Sequence, residues 1–192
     1  DRLLTLFTLE LGKVRVIAKG VRKPRSRKAG HLEPFTHVSL LLARGRETLL
    51  VTQAETLDAF STLRDDLMLT TYTAYVVEIL DRFTYEEGEN RPLFMLLVET
   101  LKRLATFPHA AQVIHYYELR LLELVGFRPQ LFACVNCSAA IQPEDQYFSA
   151  QQGGVMCPRC GQGMVAAWPV SLNTLKHLRH YQRSNWLEAS RA

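Results

Sequence analysis

Four cysteines stand as two pairs, Cys134-Val-Asn-Cys137 and Cys157-Pro-Arg-Cys160, with nineteen residues between them. Two residues between thiolates let one tight turn present both sulfurs to a single ion. The pattern C-x2-C-x19-C-x2-C falls within the spacing of a four-thiolate zinc site. Two such turns, brought together by a hairpin, complete a tetrahedron with Zn–S of about 2.3 Å. Four protein ligands close the coordination shell and leave no position for a catalytic water, so the one zinc ion is expected to be structural. Gly161, after the second pair, is expected to supply a turn of positive φ, while Ser138 in the matching place of the first pair fits less well. Two disulfides would need an oxidising compartment, and a redox C-x-x-C would need a strand–helix junction in a βαβ unit; the sequence offers neither cue.

The second feature is electrostatic. Residues 13–28 hold Lys13, Arg15, Lys19, Arg22, Lys23, Arg25, Arg27 and Lys28 and no acidic residue. The chain carries 23 Lys/Arg and 19 Asp/Glu, a formal net charge of +4, so outside this segment fifteen basic residues face nineteen acidic ones. A mildly acidic protein thus carries one basic segment, the footprint of a polyanion site. Val14, Val16 and Ala18 alternate with Lys13, Arg15 and Lys19, which is the period of a half-buried strand. From Gly20 onward, Pro24, Ser26 and Gly30 interrupt the cations, and a loop follows that is expected to flex along a ligand. Arg44 and Arg46 at a predicted hairpin tip extend the basic path.

Other chemistry is poorly supported. No G-x-x-x-x-G-K-[ST], G-x-G-x-x-G or G-x-S-x-G occurs. His31-Leu32-Glu33 with Cys157-Pro-Arg-Cys160 echoes the zinc-deaminase signature, but Met156 stands where a Pro is required and the second cysteine pair would be idle. His177 and His180 could share a helix face, without further ligands nearby in sequence. The chain is therefore not expected to be an enzyme. No stretch approaches the roughly 18–20 apolar residues of a membrane span.

These residues need elements to position them. Of 192 residues, 47% are hydrophobic and 22% charged, ordinary for a chain with a buried core. The fold class expected is α+β and multi-domain. Residues 1–54 read as four strands, about 3–8, 13–19, 35–43 and 47–53, which suit a small N-terminal OB-fold barrel. Its first strand is expected upstream of residue 1. Residues 55–131 read as a central helical bundle, with stripes from Leu57 through Phe83, from an Asn90/Pro92 helix start to Pro108, and from Val113 to Val125. The aromatic and leucine stripes are expected to be core. Residues 132–167 are expected to form the zinc ribbon, followed by a C-terminal helix (about 171–182) within residues 168–192. Ser184–Ala192 shows no legible pattern.

The order of barrel, helices and cysteine pairs resembles RecO, a family of bacterial recombination mediators. The resemblance is carried by Arg2-Leu-Leu-Thr-Leu-Phe-Thr8, by Gly12-Lys-Val-Arg-Val-Ile-Ala-Lys-Gly20 with the basic loop, and by Tyr117-Glu-Leu-Arg-Leu-Leu-Glu-Leu-Val-Gly-Phe-Arg-Pro129 running into Cys134. It implies a zinc-ribbon insertion after which the C-terminal helix packs back on the bundle. It also implies a cytoplasmic, nucleoid-associated protein that binds single- and double-stranded DNA and anneals complementary strands. It further implies that such a protein joins RecR, binds the C-terminal tail of single-stranded-DNA-binding protein (SSB) and helps load RecA on coated DNA. An acidic tail ending in an apolar residue needs cations among apolar walls, for which Lys102, Arg103 and Arg120 are the candidates. Two alternatives stay open: a zinc-ribbon RNA-binding or translation-associated module, and a non-enzymatic assembly scaffold whose basic loop meets an acidic protein.

Overall fold

The computed structural model describes residues 1–46, 48–85 and 88–191. The chain divides into two compact units, Asp1–Ile114 and His115–Ala192.

The first unit opens with β1, Arg2–Thr8, and β2, Gly12–Ala18, paired antiparallel from Arg2↔Ala18 to Thr8↔Gly12. Two further strands, β3 (His37–Arg44) and β4 (Leu49–Asp58), complete a sheet of order β1-β2-β4-β3. β2 runs parallel to β4, with Val16 opposite Leu49, and β3 is antiparallel to β4. The alternation read in the sequence sets the faces. Val16, Ala18 and Val51 are buried, with Leu4, Leu6, Val14, Leu40 and Leu42 packed against them. Each fully buried Val or Leu contributes about 1.5–3 kcal/mol.

Two expectations change here. Leu57, taken as the start of a helical stripe, lies on β4, because β3 offers ladder partners as far as His37↔Asp58. It is 58% exposed. The expected strand start at Glu47 lies outside the described residues, as do Glu86 and Glu87 between the stripe ending at Phe83 and the helix start at Asn90.

After the sheet come α1 (Thr62–Asp65), α2 (Leu67–Phe83) and α3 (Arg91–Thr106). The carboxylate of Asp66 accepts from Leu69 N at 2.9 Å and caps α2. Asn90 caps α3 in the same way, its side-chain oxygen accepting from Leu93 N at 3.2 Å, with Pro92 in the first turn as the sequence predicts. Val76 and Leu80 of α2, and Leu93, Leu101 and Leu104 of α3, are buried. Tyr75 and Phe83, expected in the core, are 40% and 39% exposed. Their stripe is wider than the arc α2 buries. α4 (Ala110–Leu124) contains the division between the units.

In the second unit, β5 (Gln146–Ser149), β6 (Gly154–Met156) and β7 (Trp168–Val170) form an antiparallel sheet of order β6-β5-β7. The short helix α5 spans Pro158–Gly161, and α6 spans Leu172–Arg183. Leu131, Val155 and Leu175 form a buried cluster, with Phe132, Ile141, Phe148 and Leu178 packed on it. The seemingly patternless end holds α7, Trp186–Ala189, started by a capping box in which Asn185 and Glu188 bond each other's backbone N–H. Asn185-x-x-Glu188 was the legible signal for it; Ala192 lies outside the described residues.

Candidate metal centre and nucleic-acid interface

Backbone pairing brings the two cysteine turns together. Gln130 N donates to Gly153 O at 2.9 Å, Val155 N to Gln130 O at 2.8 Å and Val135 N to Val155 O at 2.9 Å. Residues 130–135 therefore run beside β6, and Cys134 comes level with Cys157. The approach is so close that a side chain at Gly154 would meet the Gln130 backbone and Val135.

The four sulfurs all lie within 4.8 Å of one another, and Cys137 Sγ is 3.9 Å from Cys157 Sγ. A tetrahedral zinc with Zn–S of about 2.3 Å has S–S edges of about 3.8 Å, so the cluster has the size of a four-thiolate shell. Cys134 is buried and Cys137 exposed. Burial opposes the Cys134 thiolate, but backbone hydrogen bonds from Cys137, Cys157 and Asn136 outweigh it and bring the thiol down to about 6. At Cys157 a backbone bond from Cys160 favours the thiolate, yet burial and the neighbouring cysteine side chains push it up to about 11. The Cys134 thiolate thus forms readily while that of Cys157 is opposed, an arrangement a divalent cation relieves.

The turn residues reverse the sequence expectation. Ser138 takes the positive φ, 61°, with its N–H on Cys134 O at 2.8 Å. Gly161 sits inside α5 and is not among the positive-φ residues. It is glycine because a Cβ there would strike the Tyr147 side chain. His31, of the discounted deaminase pattern, belongs to the first unit, where its Nδ1 accepts from Thr56 N at 3.2 Å.

The basic segment is more ordered than its composition suggests. After Ala18 the chain makes successive i→i+3 turns, from Lys23 N to Gly20 O, Ser26 N to Lys23 O, and Ala29 N to Ser26 O. A 3-10 turn at Ala29–His31 follows. Val21 and Leu32, 2% and 6% exposed, insert into the sheet's core cluster at either end. The loop expected to flex along a ligand thus has an apolar anchor at each end. Single apolar residues bracketing a polar stretch were the available signal.

The cations divide into two sets. Lys13 Nζ is 3.1 Å from Asp81 Oδ1 and donates to Asp81 O at 2.8 Å. Lys28 Nζ donates to Val51 O at 2.8 Å, tying the loop to β4. By contrast Lys19, Arg22, Lys23, Arg25, Arg27, Arg44 and Arg46 are exposed, and Arg15 has an exposed position on β2. Phe7 packs against Phe94 at 6.5 Å between ring centres, and Phe94 meets His37 edge-on at 5.8 Å.

The three remaining candidates are not gathered on one unit. Lys102 and Arg103 lie on α3, 3.5 Å and 3.8 Å from the Glu99 carboxylate. Arg120, on α4 in the second unit, donates to Glu123 at 2.7 Å, to Gln182 O at 3.4 Å and to Ser184 O, and lies over the Tyr116 ring.

A sheet carrying a pinned basic loop, followed by helices and a four-cysteine cluster compatible with one zinc ion, defines a class of mixed α and β protein with a candidate metal centre and a basic face. Profiles described as "Recombination protein O N terminal" and "Recombination protein O C terminal" match residues 1–60 and 64–192. The DNA repair protein RecO of Roseiflexus sp. (strain RS-1) is 43% identical over 182 residues, 95% of this chain and 64% of the relative. That of Dehalococcoides mccartyi (strain ATCC BAA-2266 / KCTC 15142 / 195) is 37% identical over 96% of this chain and 73% of the relative. The chain belongs to the RecO family, and it spans about two thirds of the length of these relatives. No helix among the described residues is long and apolar enough to cross a membrane.

Proposed function

We propose that this chain is a DNA-backbone-binding mediator of recombinational repair, acting in the bacterial cytoplasm at the nucleoid. In this role it holds single- and double-stranded DNA, anneals complementary strands and helps load RecA on SSB-coated DNA. The four-stranded sheet, with its parallel β2–β4 pairing, is read as most of an OB-fold barrel. Cys134, Cys137, Cys157 and Cys160 would hold one zinc ion, which when bound cross-links the two turns and contributes folding energy. RecR and the SSB tail are its proposed protein partners. Arg120 is committed to the C-terminal end of α6, so Lys102 and Arg103 remain the candidates for the tail contact.

The observation that carries this reading is the state of four loop cations. Arg22, Lys23, Arg25 and Arg27 are exposed, and none forms an ion pair among the described residues. Val21 and Leu32 fix the loop's ends, so the charges face solvent from a held surface. Phosphates displacing counterions from such a surface bind without sequence preference, which leaves base edges free to pair. Lys19, Arg15, Arg44 and Arg46 extend it. Lys13 and Lys28 support the site from beneath through Asp81 and Val51.

The test is annealing of complementary strands with SSB-coated DNA, in the wild type and in Arg22→Ala/Lys23→Ala/Arg25→Ala. The variant should lose annealing and at least tenfold in DNA affinity at low salt. Unchanged affinity and salt dependence would remove the loop from the site. Equal annealing of RNA would favour an RNA-binding module.

A further inference from the structure

The second unit has its own uncompensated cations, set around one aromatic ring. Arg183 and Arg179 both stand over Phe132, with guanidinium carbons 4.0 Å and 5.0 Å from the ring centre. Arg179 Nε also donates to Leu131 O at 2.8 Å, which fixes its guanidinium in place. Lys176 lies on the same α6 face, since positions 176, 179 and 183 repeat at helical spacing. From Leu172 to Ser184 there is no acidic residue.

Four of the five acids of this unit are directed elsewhere, and the fifth, Glu144, is exposed before β5. Glu123 pairs with Arg120 and Arg128, Asp145 caps Leu172 N, Glu188 caps α7 and Glu118 meets His115. None forms an ion pair with Lys176, Arg179 or Arg183 among the described residues. Burial and the charge of Arg183 both work against the Arg179 cation, so an anion would relieve this pair. Beside the stacked pair opens a cleft of about 340 Å³, lined by Arg128, Pro129, Gln130, Phe132 and Gln182. Guanidiniums held on an aromatic face keep their charge while losing little freedom on binding.

We infer that α6 carries a second nucleic-acid backbone site, formed by Lys176, Arg179 and Arg183 around Phe132 and separate from the basic loop. The choice of ligand follows from the layout of charge. Lys176 and Arg183 are about 10 Å apart along the helix, at 1.5 Å per residue. A row of that length matches successive phosphates of a strand better than the single carboxylate end of a peptide. Annealing needs two strands held at once. With one cationic surface on each unit, a single chain can hold both. This rests on the DNA-binding role proposed above.

The test uses the full chain, a fluorescein-labelled single-stranded oligonucleotide followed by anisotropy across a salt series, and annealing of two complementary strands. The variants are Lys176→Glu/Arg183→Glu, both at exposed positions, and the loop triple variant. The helix variant should keep its zinc content and melting temperature. Its salt slope should fall by at least about 1.4, at about 0.7 per single-strand phosphate contact, and its annealing rate at least tenfold. Lys176→Arg/Arg183→Lys should restore both. If the wild type binds no DNA, the proposed function itself fails and this site with it. If the wild type binds, the loop variant is impaired and the helix variant keeps wild-type slope and annealing, the α6 site alone is refuted. Loss of binding to a synthetic acidic peptide with the DNA slope intact would also refute it, in favour of a peptide groove.

Discussion

Cys137 Sγ lies 3.9 Å from Cys157 Sγ, although nineteen residues separate the two cysteines in sequence. No covalent bond holds them, and their approach depends on the Gln130–Val135 segment lying beside β6. A cluster of four thiols at this spacing is a closed donor set in which the metal and the local fold depend on each other.

Purified chain should therefore contain one zinc per molecule, and a chelator strong enough to remove it should unfold the ribbon. Hydrogen exchange should show protection lost over 130–170 while β1–β4 keep theirs. Cys157→Ser should reduce zinc well below one per chain and lower the first melting transition. A chain that binds no zinc, or that keeps its exchange pattern after chelation, would show that the cysteines serve another purpose.

How legible this was depends on the range of the interaction concerned. The cysteine spacing, the Asn90–Pro92 helix start and the β2 alternation are local, so they could be read directly. At Leu57, strand pairing with β3, a partner distant in sequence, overrides a local helical period. The need for glycine at 161 is set by Tyr147, fourteen positions away, and has no local signature. The loop's order was hidden for the same reason: Val21 and Leu32 have meaning only once the core they enter exists. The stacking of Arg179 and Arg183 on Phe132 spans about fifty positions and left no local trace.

His37 offers a pH dependence. Burial and then the Lys102 charge lower its pKa from the ordinary 6.5, with Asp58 opposing them. The unfolded chain then binds this proton more readily than the folded one. The neutral ring's contribution is complete above about pH 6.5 and fades as the pH falls through that value toward the lower folded pKa. Melting of the first unit should drop between pH 7 and pH 5.5, and His37→Phe, which keeps a ring against Phe94, should flatten the dependence. An unchanged slope in that variant would assign the acid sensitivity to other groups.

Arg120, a sequence candidate for an acidic tail, makes bonds that define a different experiment. Its guanidinium reaches Tyr116, Glu123, Gln182 O and Ser184 O, so it fastens α4 to the end of α6. Ser184 is 8% exposed, and removing its main donor leaves a buried carbonyl short of a partner at a cost of about 1–3 kcal/mol. Arg120→Ala should shift a urea transition of the second unit by that amount, and Arg120→Lys should recover only part, because one ammonium cannot span the same acceptors. Lys102→Ala, whose ion pair with Glu99 is on the surface, should stay within about 0.5 kcal/mol of wild type. Binding of an acidic SSB-tail peptide should then fall in Lys102→Ala without a change in stability. If peptide binding is lost only in Arg120→Ala, with the urea transition unmoved, Arg120 is a ligand contact and not a clamp.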